Sequence, residues 1–469
     1  MKKADKSLNT KNKMLVIYQI GRLDKNIEEK IKFKIQNYTF QEPLSSFALR
    51  NYLLQKTDNK IFSILIYPVS LPFNKTLYDE NSTIPPLFKD AIRDIIKQPS
   101  KYNPEEFFKL HPHTRKADDF ITIHSIGEYE NVKFCGDFND IMLEILCDMI
   151  ERYIETSFKT LFIDISSGHN ISVSALLEAT KHFSVFTQLM NWKNKENIPE
   201  IYIVYSDPII GSSLQQYQVY LKQIKFKAFF SSPVKYEEVI NYALSNKLTE
   251  KIEKKEERRR RKNKIQDYIE TFCLLFSGIK NNIPLSLYTF QNRNREEIIE
   301  FLKSEIRRVK GELYRNWKSS PNLNVELYLK LILSLGMYIG IMEVLRSEEI
   351  NKYDNETGLS LSEIKQKFAS RHTSLYKYFG IPTNIEWLGN EVSYLEVKLN
   401  NKIPPFKEWR FLRDFIKGES KDFRKRNFLA HCGFERNITQ VRKEETGEIF
   451  VRWIKDEEEN IKKKLLEEV

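Results

Sequence analysis

Five short apolar, β-prone runs dominate the first half of the chain: MLVIYQI (14–20), KIFSILIYPVSL (60–71), DFITIHSI (119–126), TLFIDIS (160–166) and EIYIVYSD (200–207). Runs this short and this continuously apolar belong to strands buried on both faces, as in a parallel sheet covered by helices. Between them, Phe138–Tyr153 and Ser172–Leu189 carry large apolar residues at three- and four-residue spacing, the helical period. Strand, loop, helix, strand in that order gives βαβ units with right-handed crossovers. The expectation is a Rossmann-like α/β domain over residues 1–234. IKFKAFF (224–230) would be an edge strand, and the proline-punctuated stretch 75–115 a less regular insertion.

After Pro233 the pattern changes to helical and charged, which sets a second domain over 235–469. Ser232-Pro233 offers an N-cap followed by proline at the first helical position, opening a connecting helix over 235–265. Residues 293–317 form an amphipathic helix. Residues 324–346 form a more apolar one, whose uncharged centre, Leu331–Met342, is too short for a membrane span and reads as a buried core helix. Ser360 and Glu363 have capping-box spacing. Further helices are expected over 406–417 and from about Lys421 to His431, the latter stopped by Gly433. Residues 438–454 carry ETGE between β-prone residues and read as a small hairpin, and the tail from Asp456 is helical by its i,i+4 charge pairs. The fold class is therefore α/β followed by all-α with a small β-hairpin.

The net charge is +11, and residues 251–264 hold nine basic and three acidic side chains. Such a run is a solvated helix face or a contact for a polyanion such as nucleic acid. The four cysteines have neither disulfide-framework nor zinc spacing, and the N-terminus carries no secretory pattern, so a reducing cytoplasm is expected, with no membrane partner. His111-Pro112-His113 lacks nearby ligands at metal spacing and reads as a polar loop, and no metal site is expected.

The segment RKRNFLAHCGFE (424–435) places Arg426, Asn427 and His431 in the order R-N-x-x-A-H. Histidine transfers protons near neutral pH, and arginine is a permanent forked donor for phosphate oxygens. Together they suit RNA cleavage without a metal: His431 moves protons at the ribose 2′-hydroxyl or the leaving oxygen, and Arg426 stabilises charge on the phosphorane. Residues five apart on a straight helix point about 140° apart, so convergence needs the helix to end near His431, or a second copy of the chain. The plainer reading is that Arg426 is a surface charge and His431 a helix-terminal cation.

The segment DISSGHN (164–170) follows one strand and precedes a helix, at the carboxyl end of the sheet where open α/β folds bind ligands. Ser166, Ser167 and Asn170 offer hydrogen bonds, Gly168 lets backbone amides approach an anion at the helix N-terminus, and His169 sits within the same loop. An ordinary capped turn reads the same way. There is no G-x-G-x-x-G pattern, which argues against NAD. The first strand ends at Gly21 and Arg22, where glycine allows close approach and arginine meets phosphate.

RNFLAH in a late helix of an all-α domain resembles the R-x(4–6)-H motif of HEPN ribonucleases, and DISSGHN is similar to the D-[IV]-[ST]-x-G-x-N run of CARF domains. A Rossmann-like domain joined to a HEPN domain resembles the CRISPR-associated CARF–HEPN ribonucleases of type III systems. The resemblance implies metal-independent endoribonuclease cleavage of single-stranded RNA by Arg426, Asn427 and His431 in a composite dimeric site, in a homodimer or higher oligomer of dimers. It also implies activation by a cyclic oligoadenylate, tetra- or hexa-adenylate, held at Gly21, Arg22, Ser166, Ser167, Gly168, His169 and Asn170, in antiviral defence. The competing readings are a ligand-responsive nucleic-acid-binding regulator without catalysis and a nuclease toxin outside CRISPR.

Overall fold

The computed structural model describes residues 13–74, 77, 82–208, 216–314, 317–354, 356–400, 403–417 and 423–469. Lys421, the expected start of one helix, lies outside them. The chain divides into two compact units, one of Met1–Thr187, Glu196–Lys227 and Lys303–Val325, the other of Gln188–Lys195, Ala228–Leu302 and Glu326–Val469. The first unit thus includes a stretch, 303–325, far beyond residue 234.

In the first unit, β1 (Met14–Ile20), β2 (Ile31–Ile35), β3 (Tyr38–Glu42), helix α1 (Ser45–Lys56) and β4 (Lys60–Pro68) are followed by α2 (Pro86–Lys97) and α3 (Pro104–Lys109). Then come β5 (Asp119–Ile123), the hairpin of β6 (Ile126–Tyr129) and β7 (Val132–Cys135), and α4 (Phe138–Thr156). The unit's remaining strands are β8 (Thr160–Asp164), β9 (Glu200–Ser206) and β10 (Tyr217–Ile224), with α5 (Asn170–Met190) between β8 and β9. The eight-stranded sheet has the order β3-β2-β10-β9-β8-β1-β4-β5. The run β9-β8-β1-β4-β5, which ends at the β5 edge, is parallel, and its inner strands β8, β1 and β4 are almost wholly buried, as the apolar runs require. The other edge is mixed, because β10 runs antiparallel to β9 and the β2–β3 hairpin joins it. The expected edge strand at 224–230 is corrected: the strand is β10, and it ends at Ile224.

One buried polar network ties this sheet to its helices. The Tyr18 hydroxyl donates to Asp148 Oδ2 at 2.7 Å, and Arg152 Nε donates to the same oxygen at 2.8 Å. Lys310 lies 3.7 Å from Asp148 and 2.6 Å from Glu151. Burial holds the Tyr18 hydroxyl protonated, well above its ordinary range, so it stays a donor. Tyr18→Phe leaves the carboxylate with its two cations but one donor short. The expected loss is about 2 kcal/mol of stability, the scale of a hydrogen bond to a charged group, read as a lower denaturation midpoint with unchanged slope.

In the second unit, α6 (Tyr236–Ile240), α7 (Ala243–Lys247), α8 (Lys255–Lys280), α9 (Pro284–Thr289), α10 (Arg295–Leu313) and α11 (Val325–Ser347) follow in order. The boundary between the units falls within α5 and within α10. The expected connecting helix over 235–265 is three pieces. Tyr242 takes a left-handed backbone (φ 55°) between α6 and α7, and α8 begins only at Lys255. The Ser232 hydroxyl bonds the Val234 carbonyl instead of capping a helix, and α6 starts at Tyr236 with Glu238 reaching back to the Lys235 amide at 2.9 Å. α11 is long and apolar enough to cross a membrane by length and composition, and 78% of its most apolar stretch is buried in the fold.

The chain continues with β11 (Leu359–Ser360), α12 (Leu361–Ile364), α13 (Thr383–Asn400), β12 (Phe406–Phe411), α14 (Lys425–Ala430), the hairpin of β13 (Thr439–Lys443) and β14 (Ile449–Trp453), and α15 (Glu458–Leu466). Ser360 caps α12 by accepting from the Glu363 amide. The helix expected over 406–417 is corrected. Pro404 and Pro405 deliver the chain extended, and pairing with β13 holds Phe406–Phe411 as the edge of a four-stranded sheet.

Candidate functional site

The end of the parallel sheet holds a cavity of about 620 Å³. Of the loop residues proposed from sequence, Gly21, Arg22, Gly168 and His169 line it, and Ser166, Ser167 and Asn170 do not. The Ser167 hydroxyl donates to the Ile20 carbonyl at 2.9 Å and accepts from Gln19 Nε2 at 2.9 Å, so it fastens the loop after β8 to the end of β1. Asn170 begins α5 on the surface, and the Ser166 amide donates to the buried Asp164 carboxylate at 2.9 Å. Burial pushes that carboxyl up to about 6. Gly168 has φ +112°, and a Cβ there would stand 2.6 Å from the Ile20 side chain. Only glycine satisfies both the turn and the packing. At Gly21 the limit is also steric, since a Cβ would enter the Tyr67 ring.

Sequence reasoning missed Gln19, whose buried amide also bonds Ser45 and the Ser46 amide, and the carboxylates Asp24, Glu128 and Glu130 on the cavity wall. Asp24 pairs with Arg22 at 3.4 Å. The three carboxylates accept from amino groups, and Arg22 on the same wall donates to an anion, so the lining suits a ligand that carries both.

In the second unit, α14 presents three directions. Phe428 is buried and meets the Trp453 ring of the hairpin at 5.8 Å. Asn427 and His431 line a cavity of about 330 Å³ on one side, with Glu391, Tyr394, Lys417 and Arg436. Arg426 lines a separate cavity of about 370 Å³ with Lys280, Asn282, Asn384 and Trp387. The helix ends at Ala430, and Gly433, at φ +84°, returns its amide to the Phe428 carbonyl at 2.8 Å, the stop anticipated from sequence. That ending still does not bring Arg426 to His431 within one chain.

His431 Nδ1 lies 3.2 Å from Glu391 Oε1, a residue of α13 that the sequence gave no signal for. The carboxylate is largely sheltered while the imidazole is half exposed. Glu391 therefore accepts from Nδ1–H and leaves Nε2 available for proton exchange, and its hydrogen bond and charge raise the His431 pKa above the ordinary value. Glu391→Gln keeps an acceptor but removes the charge. The limb of the pH–rate profile that reports His431 is expected to move to lower pH in this variant, whether the imidazole acts as acid or base, and a pH series of initial rates reads it.

Among the described residues no group of three or more His, Cys, Asp or Glu side chains is placed to hold a metal ion. Buried His111 and His113 instead donate to loop carbonyls.

The family model for the CARF domain of the CRISPR system endoribonuclease Csx1 matches residues 15–208, and that for its HEPN domain matches residues 381–458. This chain is a CRISPR-associated CARF–HEPN protein. The CARF match runs from β1 to the end of β9 and contains every residue proposed for the ligand loop. The HEPN match contains α13, α14 and the hairpin, and so Glu391, Arg426, Asn427 and His431. CARF domains bind cyclic oligoadenylates as a class, and the HEPN family points to endoribonuclease activity. The two domains together support a ligand-sensing ribonuclease. No curated protein matches the chain.

Proposed function

We propose that this protein is a metal-independent endoribonuclease acting on single-stranded RNA in the cytoplasm and switched on by a cyclic oligoadenylate. The observation that carries the reading is the Glu391–His431 pair on the cavity that also holds Asn427, Lys417 and Arg436. In the step, the ribose 2′-oxygen attacks the adjacent phosphorus, its proton leaves to a base, and the 5′-oxygen departs with a proton. The products are a 2′,3′-cyclic phosphate and a 5′-hydroxyl. His431, oriented through Nδ1, exchanges protons through Nε2. Lys417 and Arg436 favour the phosphate, and exposed Tyr394 offers a face for a base.

Arg426 opens onto the other side of α14, so a complete set of His431 and Arg426 around one phosphate is met by two copies of the chain. On α13, exposed Trp387 lines the Arg426 cavity and exposed Tyr394 the His431 cavity, and with exposed Val397 they give such a dimer apolar surface to bury. At the sensor cavity, Arg22 and the amides at Gly168 and His169 suit phosphates, and the carboxylates suit adenine amino groups. Ligand binding shifts a pre-existing equilibrium between inactive and active dimers.

The test is the chemistry of the product. Cleavage of single-stranded RNA should persist in EDTA and leave 2′,3′-cyclic phosphate ends. Loss of activity in EDTA with recovery on adding a divalent cation, or 3′-hydroxyl products, would contradict the mechanism.

A further inference from the structure

The histidine pair at 111 and 113, set aside from sequence as an ordinary polar loop, is buried and aimed at the ligand cavity's rim. His111 Nε2 lies 3.0 Å from the Arg22 carbonyl and His113 Nε2 lies 2.6 Å from the Ile27 carbonyl, both in the irregular loop between β1 and β2. Both histidines are at most 1% exposed. The tautomers are set by the surrounding bonds. His111 Nδ1 accepts the His113 amide at 3.1 Å and stands 3.2 Å from the Tyr67 hydroxyl, so its proton sits on Nε2. His113 Nδ1 is buried with no partner, so a second proton there would be an unpaired buried donor. Elsewhere this loop is held at the Lys25 carbonyl by the Thr83 amide and hydroxyl, and at Gly21 by its bond to Ile66. Arg22 and Asp24, which line the cavity, lie within the span the two imidazoles hold.

We propose that His111 and His113, as neutral imidazoles, are positioning residues that clamp the backbone of the 22–27 loop in its ligand-competent conformation. The inference rests on the sensor reading of this cavity. The titratable and charged groups facing the pair are Tyr67, Arg22, Asp24 and Lys116, besides each histidine for the other. The remaining neighbours Phe47, Phe88 and Phe108 are apolar. Burial depresses both pKa values, that of His113 from 6.5 to about 4 and that of His111 well below its ordinary value. The sign follows. The clamp is at full strength above the unfolded value of 6.5 and weakens as pH falls from there towards about 4, because the opened loop takes up protons that the closed one refuses.

The experiment uses the full chain and two readouts, hydrogen exchange of the loop amides without ligand and calorimetric binding of cyclic tetra- and hexa-adenylate. The variants are His113→Phe, which keeps an apolar ring, and His113→Gln, which keeps an amide donor. In His113→Phe the amides of residues 22–29 should exchange about tenfold faster and ring affinity should fall by about tenfold, with His113→Gln close to wild type. In the wild type, loop exchange corrected for intrinsic rates should accelerate by up to about tenfold per pH unit per histidine below pH 6.5, with a shallower slope in His113→Gln. Unchanged exchange in His113→Phe would overturn the clamp while leaving the sensor reading intact. Faster exchange with unaltered ring affinity would overturn its role in binding. Failure of the wild type to bind either ring would remove the sensor reading, and the positioning role with it, while the exchange data would still report whether the loop is held.

Discussion

Replacing His431 with alanine is expected to lower RNA cleavage by about 10²–10⁴-fold, the range for removing a positioned general acid or base. The imidazole sits on the rim of its cavity, half exposed and at the end of a six-residue helix, so the fold should survive. What the substitution removes is an imidazole fixed through Nδ1 by Glu391. Single-turnover rates with excess enzyme separate this loss from any change in RNA affinity, which should be small. Loss of RNA binding together with cleavage would instead assign His431 to contact with substrate.

Arg426→Ala is expected to lower the same rate by about 10²–10³-fold, the scale of losing one donor to a developing oxyanion. Among the described residues no carboxylate pairs with Arg426, in contrast to its neighbour Lys425, which is engaged by Glu467 and Glu468. Its guanidinium is therefore open to a phosphate. Arg426→Lys keeps the charge but not the planar fork, and should recover only part of the loss. Rates per chain should also fall on dilution below the dimer's dissociation constant, because Arg426 and His431 face different cavities of one chain.

The central strands were legible in the sequence because burial on both faces leaves few polar residues in them, so Met14–Ile20 and Thr160–Asp164 stand out as mostly apolar runs, with the buried polar Gln19 and Asp164 near their carboxyl ends. The β2–β3 hairpin went unread although Ile31, Phe33 and Ile35 alternate with Lys32 and Lys34, because a half-buried edge hairpin carries a weaker signal than a central strand. Phe406–Phe411 misled in the other direction. Its residues do not alternate clearly, and only pairing with β13, distant in sequence, makes it a strand. The same limit governs the site. Arg426, Asn427 and His431 share one short segment and could be named from spacing. Glu391 lies 40 residues away on α13 in a stretch with no motif, and only the folded chain brings it to His431. Ser167 looked like a ligand donor because serines near a helix N-terminus often are, yet its hydroxyl is taken by Ile20 and Gln19. The histidines at 111 and 113 looked like loop residues because their partners are backbone carbonyls, which no side-chain pattern reveals.

The most direct measurement is cleavage of a fluorescent single-stranded RNA in EDTA with no activator, with cyclic tetra-adenylate and with cyclic hexa-adenylate, run beside His431→Ala. The expected result is strong stimulation by one ring, absent in the variant. Wild-type cleavage that ignores both rings would contradict the sensor role of the Gly21–Gly168 cavity, and no cleavage under any condition would contradict the nuclease itself.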